Sequence, residues 1–446
     1  MTNNNHSPVL HPMVSPSILN LIGQTTIVKG DGVFVYDKQG NELLDCMAGL
    51  WCVNVGHNHP KMNKAITEQL EKIAFYNSFV DFTNEPAEML ANELLTWLKP
   101  EQMAKVMFSS GGSDANETAL KLARQYWLLE GQKNKTQFIS LTNGYHGLHF
   151  GVTSITGIEI HKQAYAPLLQ NCHHIPTPCL YRNPWTSDSD ELADIIASQL
   201  EEKIIAIGEH NIAAFIAEPI QGAGGVIVPP AKLWPLFRKV CDKYNILLIA
   251  DEVVTGFGRS GELFGCRNWQ VSPDIMCLAK GLTSGYIPLG ATVLNEKVAK
   301  AWQHSGPESM IMHGYTYSGH PLACAAGLTA LSIVQEQQLH INAAQVGEYL
   351  LQSLRPFKEH YSLVGDVRGK GLMVVLDLVE CKTSKAPLDP ASPLNQQLVQ
   401  LAQSQGVIIR NVGSKVILSP PLTFTRSHVD TLVKTLHFAF DRVSSN

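Results

Sequence analysis

Charged side chains are scarce in this chain, at 16% of 446 residues against roughly 25% in an average soluble domain. With hydrophobic residues at 45%, so little charge predicts that part of the surface is covered in an oligomer. The formal charge of −5 lacks the basic excess of a nucleic-acid surface, and no nucleic-acid partner is expected. Nine cysteines, from Cys46 to Cys381, are an odd number in no framework spacing and include no Cys-x-x-Cys pair. That excludes a disulfide scaffold and predicts free thiols in a reducing compartment. Also missing are an apolar run approaching 18 residues and an N-terminal charged region followed by an apolar core, so a cytoplasmic protein without a membrane partner is expected. No internal repeat, low-complexity linker or Gly-x4-Gly-Lys-Ser/Thr nucleotide loop interrupts the chain.

What the chain does have is short, unbroken apolar runs that end on chemistry. Asn245-Ile-Leu-Leu-Ile-Ala-Asp251 ends on a carboxylate and Asp274-Ile-Met-Cys-Leu-Ala-Lys280 on an amine. Runs of this kind mark strands buried on both faces of a parallel sheet. Ligands of such sheets sit at the carboxyl ends of the strands, so both groups are expected to face one crevice. A lysine there can form a Schiff base with an aldehyde cofactor, and an aspartate can keep a pyridine nitrogen protonated. A lysine after an apolar run is by itself far more often a solvated strand end, so Lys280 alone proves little. A third element decides: Phe108-Ser-Ser-Gly111-Gly112-Ser113-Asp-Ala-Asn116 runs straight into a helix-forming sequence. Free amides at a helix N-terminus, approached closely over glycines, make a phosphate site, although an ordinary capped helix start would look similar.

Together these elements resemble the fold-type I pyridoxal phosphate enzymes, and more narrowly the class III aminotransferases. Glu218-Pro-Ile-Gln-Gly-Ala-Gly224-Gly225, Asp251-Glu-Val253-Val-Thr-Gly-Phe-Gly258-Arg259, Ala279-Lys280-Gly281 and Gly314-Tyr-Thr316-Tyr-Ser-Gly319-His-Pro321 stand in that family's order and spacing. The resemblance runs from about Ser17 to near the C-terminus. It implies an α/β fold, with a large domain built on a central, mostly parallel sheet and a small α+β domain drawn from both chain ends. The expected divisions are a mobile polar tail over 1–16, the first part of the small domain over 17–69, the cofactor domain over 70–324 and the rest of the small domain over 325–446. Local patterns agree: a hairpin from Val33-Phe-Val-Tyr-Asp37 and Leu43-Leu-Asp45, apolar strands at 213–217 and 246–250 separated by a helix near Leu233 to Tyr244, and a hairpin-like pair at 407–410 and 416–419.

The resemblance also implies roles, residue by residue. Lys280 holds pyridoxal 5'-phosphate and then moves the proton, while Asp251 charges the pyridine ring. Gly112 and Ser113 match the phosphate cup. Tyr145, in Asn143-Gly-Tyr-His146-Gly, matches the ring-stacking aromatic, with His146 beside it at the cofactor. Val253, two positions past Asp251 on the same side of the strand, matches the residue on the other ring face. Glu218 becomes an active-site carboxylate that orients polar neighbours. Thr316 matches a phosphate contact supplied by the neighbouring subunit, which implies a homodimer or a dimer of dimers. Trp51 and Phe79 resemble the aromatic wall of the ω-amino acid and amine:pyruvate branch, and Arg410 the mobile arginine that meets a keto acid carboxylate. The implied reaction is ping-pong transfer of an amino group from β-alanine, taurine, a diamine or an arylalkylamine to pyruvate. A class III enzyme using 2-oxoglutarate, or an aminomutase on the same scaffold, is the alternative.

Two other patterns are weighed and set aside. His57-Asn-His59 and His173-His174 have no Cys or His cluster at zinc-site spacing nearby, so no metal is expected. Gly256-Phe-Gly258-Arg-Ser-Gly261 is a literal Gly-x-Gly-x-x-Gly, but a nicotinamide fingerprint opens a helix, and the Gly-interrupted stretch before Pro273 is too short for one.

Overall fold

The computed structural model describes residues 8–303 and 306–444. The first half of the expected N-terminal tail lies outside them. Its end does not stay irregular: Pro16–Ile22 forms a helix whose first turn is capped by Ser15 Oγ, accepting from the Ile18 amide at 3.3 Å.

Near the N-terminus, β1 (Ile27–Asp31), β2 (Phe34–Asp37) and β3 (Glu42–Asp45) form an antiparallel meander. The central sheet follows, from β4 (Met103–Ser109), β5 (Gln137–Leu141), β6 (Cys172–Ile175), β7 (Ile212–Ala217), β8 (Leu247–Asp251), β9 (Ile275–Leu278) and β10 (Gly290–Asn295). Its order is β4-β10-β9-β8-β7-β5-β6. Strand β10 runs antiparallel to both its neighbours and the other strand pairs are parallel. A third sheet contains β11 (Val364–Gly369), β12 (Val374–Cys381), β13 (Ala386–Pro387), β15 (Arg410–Val412) and β16 (Lys415–Leu418), while β14 (Val407–Ile408) pairs in parallel with β3. The fold is therefore the fold-type I arrangement that the resemblance implies, with a segment from the C-terminal part of the chain completing the N-terminal sheet.

The expected strand over 407–410 is corrected by this pairing. It breaks at Ile409, so that Val407 and Ile408 join β3 while Arg410 begins the strand opposite Ile417. The break leaves Arg410 on a different sheet from the two residues before Ile409. The expected divisions at 69/70 and 324/325 fall inside the helices Pro60–Lys72 and Pro321–Glu336, so a helix crosses each.

The central strands are apolar on both faces because helices cover both. Alternate residues part cleanly, as a period of two requires. Ala214, Ile216, Leu247 and Ile249 pack with the helix Gly112–Leu129, whereas Phe215, Ala217, Leu248 and Ala250 pack with the helices Ser189–Ile207 and Leu233–Lys243. Asp251 has the parity of Leu247 and Ile249 and so turns toward the first helix. Among the described residues, no helix is long and apolar enough to cross a membrane.

Candidate active site

The strand ends β4, β5, β7, β8 and β9 bring the functional side chains to one edge of the central sheet. Lys280 follows β9 with φ +44°, a left-handed conformation uncommon for a residue with a Cβ, and it opens the short turn Lys280–Leu282. Gly281 permits that turn, since a Cβ there would run into the Asn54 side-chain amide. Among the described residues, the Lys280 ammonium has neither a hydrogen-bond nor an ion-pair partner. Burial lowers its pKa from the ordinary lysine value, with help from Arg410 and against the pull of Cys52, Asp251 and Glu218. The shift favours the neutral amine, the reactive form.

Asp251, at 3% exposure, is held from three sides. Its Oδ2 accepts from Asn116 Nδ2 at 2.7 Å and from His146 Nδ1 at 2.8 Å, and its Oδ1 accepts from the Val253 amide at 3.1 Å. A carboxylate that only accepts makes His146 Nδ1 a donor. Asn116 also donates to the His146 carbonyl at 2.9 Å, which ties the helix, the loop after β5 and the end of β8 together. His146 Nε2 and Asn116 Oδ1 remain buried without a partner among the described residues. Buried polar atoms left unsatisfied beside a carboxylate that can take a further donor suit an aromatic cationic ring better than a closed structural knot.

The phosphate end has matching features. The helix Gly112–Leu129 starts beside the end of β4, where Gly111 faces open space and a Cβ on Gly112 would lie 2.8 Å from Val253 Cγ1. Glycine is therefore required for Val253 to close over the helix start. Ser113 Oγ accepts from the Leu148 amide at 3.3 Å, and Asp114 Oδ2 from the Ser110 amide at 2.9 Å, leaving the free amides of the first turn as the anion cradle. An amine, a ring partner and a phosphate cradle at one edge of one sheet fit pyridoxal phosphate.

Glu218 ends β7 at 6% exposure. Its Oε1 accepts from the Tyr145 amide at 2.9 Å and its Oε2 from the Gly222 amide at 2.8 Å. Burial raises its pKa to about 7, aided by the Asp251 charge and opposed by His146 and the two amides. Tyr145 is half-buried, with its ring edge-on to His161 at 5.5 Å between centroids. Arg410 is also half-buried, and burial lowers its pKa against the influence of Tyr145. Among the described residues no carboxylate pairs with it.

Three residues are not gathered in the same way. Trp51, 6% exposed with φ +65°, packs into the core rather than lying open; its neighbour Cys52, whose thiol pKa is raised by burial, lies near Lys280. Phe79, at 44% exposure, lies over Gly314 on the outer surface. Thr316 is exposed on the turn that follows. Neither makes a hydrogen bond or ring contact to Lys280, Asp251 or Tyr145 in this chain. Sequence reasoning gave Asn116 no role, although its position one turn after Gly112, at the start of the helix Gly112–Leu129, was a signal. It also missed the Asn54–Arg259 pair, in which the fully buried guanidinium donates to Asn54 Oδ1 at 2.8 Å and to the Leu372 and Pro420 carbonyls.

The histidine pairs have local partners. His57 Nε2 meets Asp45 at 2.9 Å, His59 caps the helix Pro60–Lys72, His173 Nε2 meets Gln137 at 2.8 Å, and His174 Nε2 faces the Ile155 carbonyl at 3.1 Å. No group of metal-binding side chains occurs among the described residues. The Gly256–Gly261 stretch is a run of turns, followed by the short 3-10 segment Gly265–Trp269 and not by an α-helix.

Comparison with known proteins follows the same lines. The class III aminotransferase family model matches residues 20–440. The putrescine–pyruvate aminotransferase of Pseudomonas aeruginosa is 39% identical over 438 residues, covering 98% of this chain and 94% of that protein. An amine transaminase from an uncultivated Pseudomonas species, solved in its PLP-bound internal aldimine form, superposes with a TM-score of 0.97 at 51% identity, over 98% of this chain and 99% of its own. A thermostable omega transaminase variant, engineered for asymmetric synthesis of enantiopure bulky amines by replacing a tryptophan, a phenylalanine and an arginine, gives 0.93 at 38% identity over 98% and 97%.

Proposed function

The chain belongs to the class III aminotransferases, and on that premise we propose that it moves the amino group of an ω-amino acid or other primary amine to pyruvate, with pyridoxal 5'-phosphate as carrier. The bound cofactor supplies an aldehyde for the amine and an electron-withdrawing ring that stabilises the carbanion at the donor carbon. The chain's residues do the rest. Lys280 Nζ would hold the cofactor through its aldehyde carbon and would serve as the base that moves a proton from the donor carbon to that carbon. Asp251 would keep the ring nitrogen protonated, while Asn116 and His146 fix its carboxylate plane through Oδ2. Gly112, Ser113 and the first amides of their helix would hold the phosphate, and Val253 and Tyr145 would pack on the ring. Glu218 fixes the Tyr145 backbone.

The observation that carries the acceptor assignment is Arg410: a half-buried guanidinium without a carboxylate partner among the described residues, whose charge bears on Lys280. A desolvated, unpaired cation calls for an anion, and pyruvate brings one carboxylate to it. Further support comes from the engineered relative, whose replaced tryptophan, phenylalanine and arginine stand in the same order and at the same intervals along the chain as Trp51, Phe79 and Arg410. Those three residues accordingly belong to the substrate pocket in this reading.

A homodimer completes the site. Phe75, Tyr76, Phe79, Val80, Phe82 and Met312 form an exposed apolar surface of the kind a partner covers, and Phe79 and Thr316 on it would serve the neighbouring subunit. The nine cysteines are all free, which suits a cytoplasmic enzyme. The test is product analysis with putrescine or β-alanine as donor and each keto acid in turn. Alanine formed from pyruvate at a far higher rate than glutamate from 2-oxoglutarate supports the assignment; the reverse preference overturns it.

A further inference from the structure

The segment that carries Thr316 is not held by a core of its own. Its outward side chains are apolar and exposed, Met312 at 81%; Ser78 and Asn84 tie the turn after Thr316 through the Ser318 and Gly319 carbonyls, and the stretch before Thr316 is held by inward, polar side chains. These converge on a single face of the helix Gly112–Leu129, at Asp114, Thr118, Lys121 and Gln125, positions that successive turns of a helix place in one row. Gln125 Nε2 donates to the Glu308 and Met310 carbonyls at 2.8 and 2.9 Å. The Tyr315 hydroxyl donates to the Asp114 carbonyl at 3.3 Å. Between them, His313 spans Thr118 Oγ1, 2.8 Å from its Nε2, and Lys121 Nζ, 2.9 Å from its Nδ1.

The donors fix the tautomer. Lys121 can only donate, so His313 Nδ1 accepts. Thr118 donates its own hydrogen to the Asp114 carbonyl at 2.7 Å, so His313 Nε2 donates to Thr118 Oγ1. Only the neutral imidazole satisfies both contacts. We propose that His313 is a positioning residue: its bridge from Thr118 to Lys121 holds the 310–316 segment against the helix and sets Thr316 in the pose that meets a second subunit's cofactor phosphate. The helix whose first turn cradles one phosphate thus also sets the arm that reaches the other. This inference rests on the proposed role of Thr316.

Protonation breaks the bridge, because an imidazolium cannot accept from Lys121 and faces its charge. The groups around His313 are Lys121, Thr118 and Asp114 on the helix and Tyr315, whose ring lies edge-on at 5.2 Å; burial and Lys121 hold its pKa below the ordinary histidine value, against Asp114. The bridge is therefore complete above the ordinary histidine range and weakens as pH falls through and below it.

The experiment measures the rate at which the holoenzyme releases cofactor into an excess of a trapping apoenzyme, in wild type, His313→Leu, His313→Gln, Thr316→Ala and the Leu/Ala double variant. Loss of one bridging interaction should speed release about tenfold in His313→Leu, with dimer content unchanged by size-exclusion chromatography. His313→Gln, whose amide can both accept and donate, should restore slow release and remove the acceleration seen in wild type below pH 6.5. The double variant should release no faster than Thr316→Ala alone. If Thr316→Ala releases at the wild-type rate, the reading of Thr316 fails. If Thr316→Ala is fast but His313→Leu is not, or if their effects multiply in the double variant, the role of His313 is overturned.

Discussion

Replacing Arg410 by alanine separates the two half-reactions. The guanidinium is half-buried on a short strand paired to Ile417, with no carboxylate partner among the described residues. In the proposed complex it gives the keto acid carboxylate two parallel charge-assisted hydrogen bonds. Such bonds contribute roughly 1.5–3 kcal/mol each and are not additive, so about 2–4 kcal/mol is at stake, or about 30-fold to several hundredfold in kcat/KM. A simple amine donor has no carboxylate to lose, and its half-reaction should change by less than about threefold. A second consequence follows for Lys280: without the cation that helps to depress it, its pKa moves back toward the ordinary lysine value. Stopped-flow absorbance, with amine alone and then with pyruvate alone, measures each half-reaction directly. A loss confined to the pyruvate half supports the assignment, and an equal loss in both refutes it.

Asn116→Leu removes one donor from Asp251 and leaves the His146 carbonyl unpaired. At about 1.5–3 kcal/mol for a bond to a charged group, both half-reactions should slow by about 10- to 150-fold together; a change in KM for one substrate alone would contradict a role at the ring. Glu218 gives a pH signature. Its folded-state pKa is raised from 4.5 to about 7, so the stability associated with its protonated form is full below pH 4.5 and lost as pH rises to about 7, on the order of 3 kcal/mol. Denaturant midpoints of Glu218→Gln should lack this component between pH 5 and 8, and an identical pH slope in both proteins would show that burial does not hold the Glu218 carboxyl up.

The strands were legible where burial on both faces wrote continuous apolar runs. Ile212–Ala217, Leu247–Asp251 and Ile275–Leu278 are such runs, and the charged residue at or just after the end of each, Glu218, Asp251 and Lys280, was visible for that reason. The split at Ile409 was not, because its cause is pairing with β3, more than 350 residues away, and a local pattern carries no trace of so distant a partner. Asn116 escaped for a related reason. Its place one turn after Gly112 was the single local mark, and its importance arises from where β8 and the loop after β5 deliver Asp251 and His146. The burial of Trp51 likewise depends on how the Ala48–Trp51 turn meets the large sheet, with Asp45 accepting from the Met47 and Gly49 amides to shape it.

The central claim joins Lys280, pyridoxal phosphate and pyruvate, and the visible absorption spectrum of the purified protein tests all three at once. The account predicts a yellow band that bleaches with β-alanine or a simple amine, returns with pyruvate and not with 2-oxoglutarate, and is absent from Lys280→Ala. A protein that stays colourless after addition of pyridoxal phosphate, or a Lys280→Ala variant that cycles as wild type does, would contradict it.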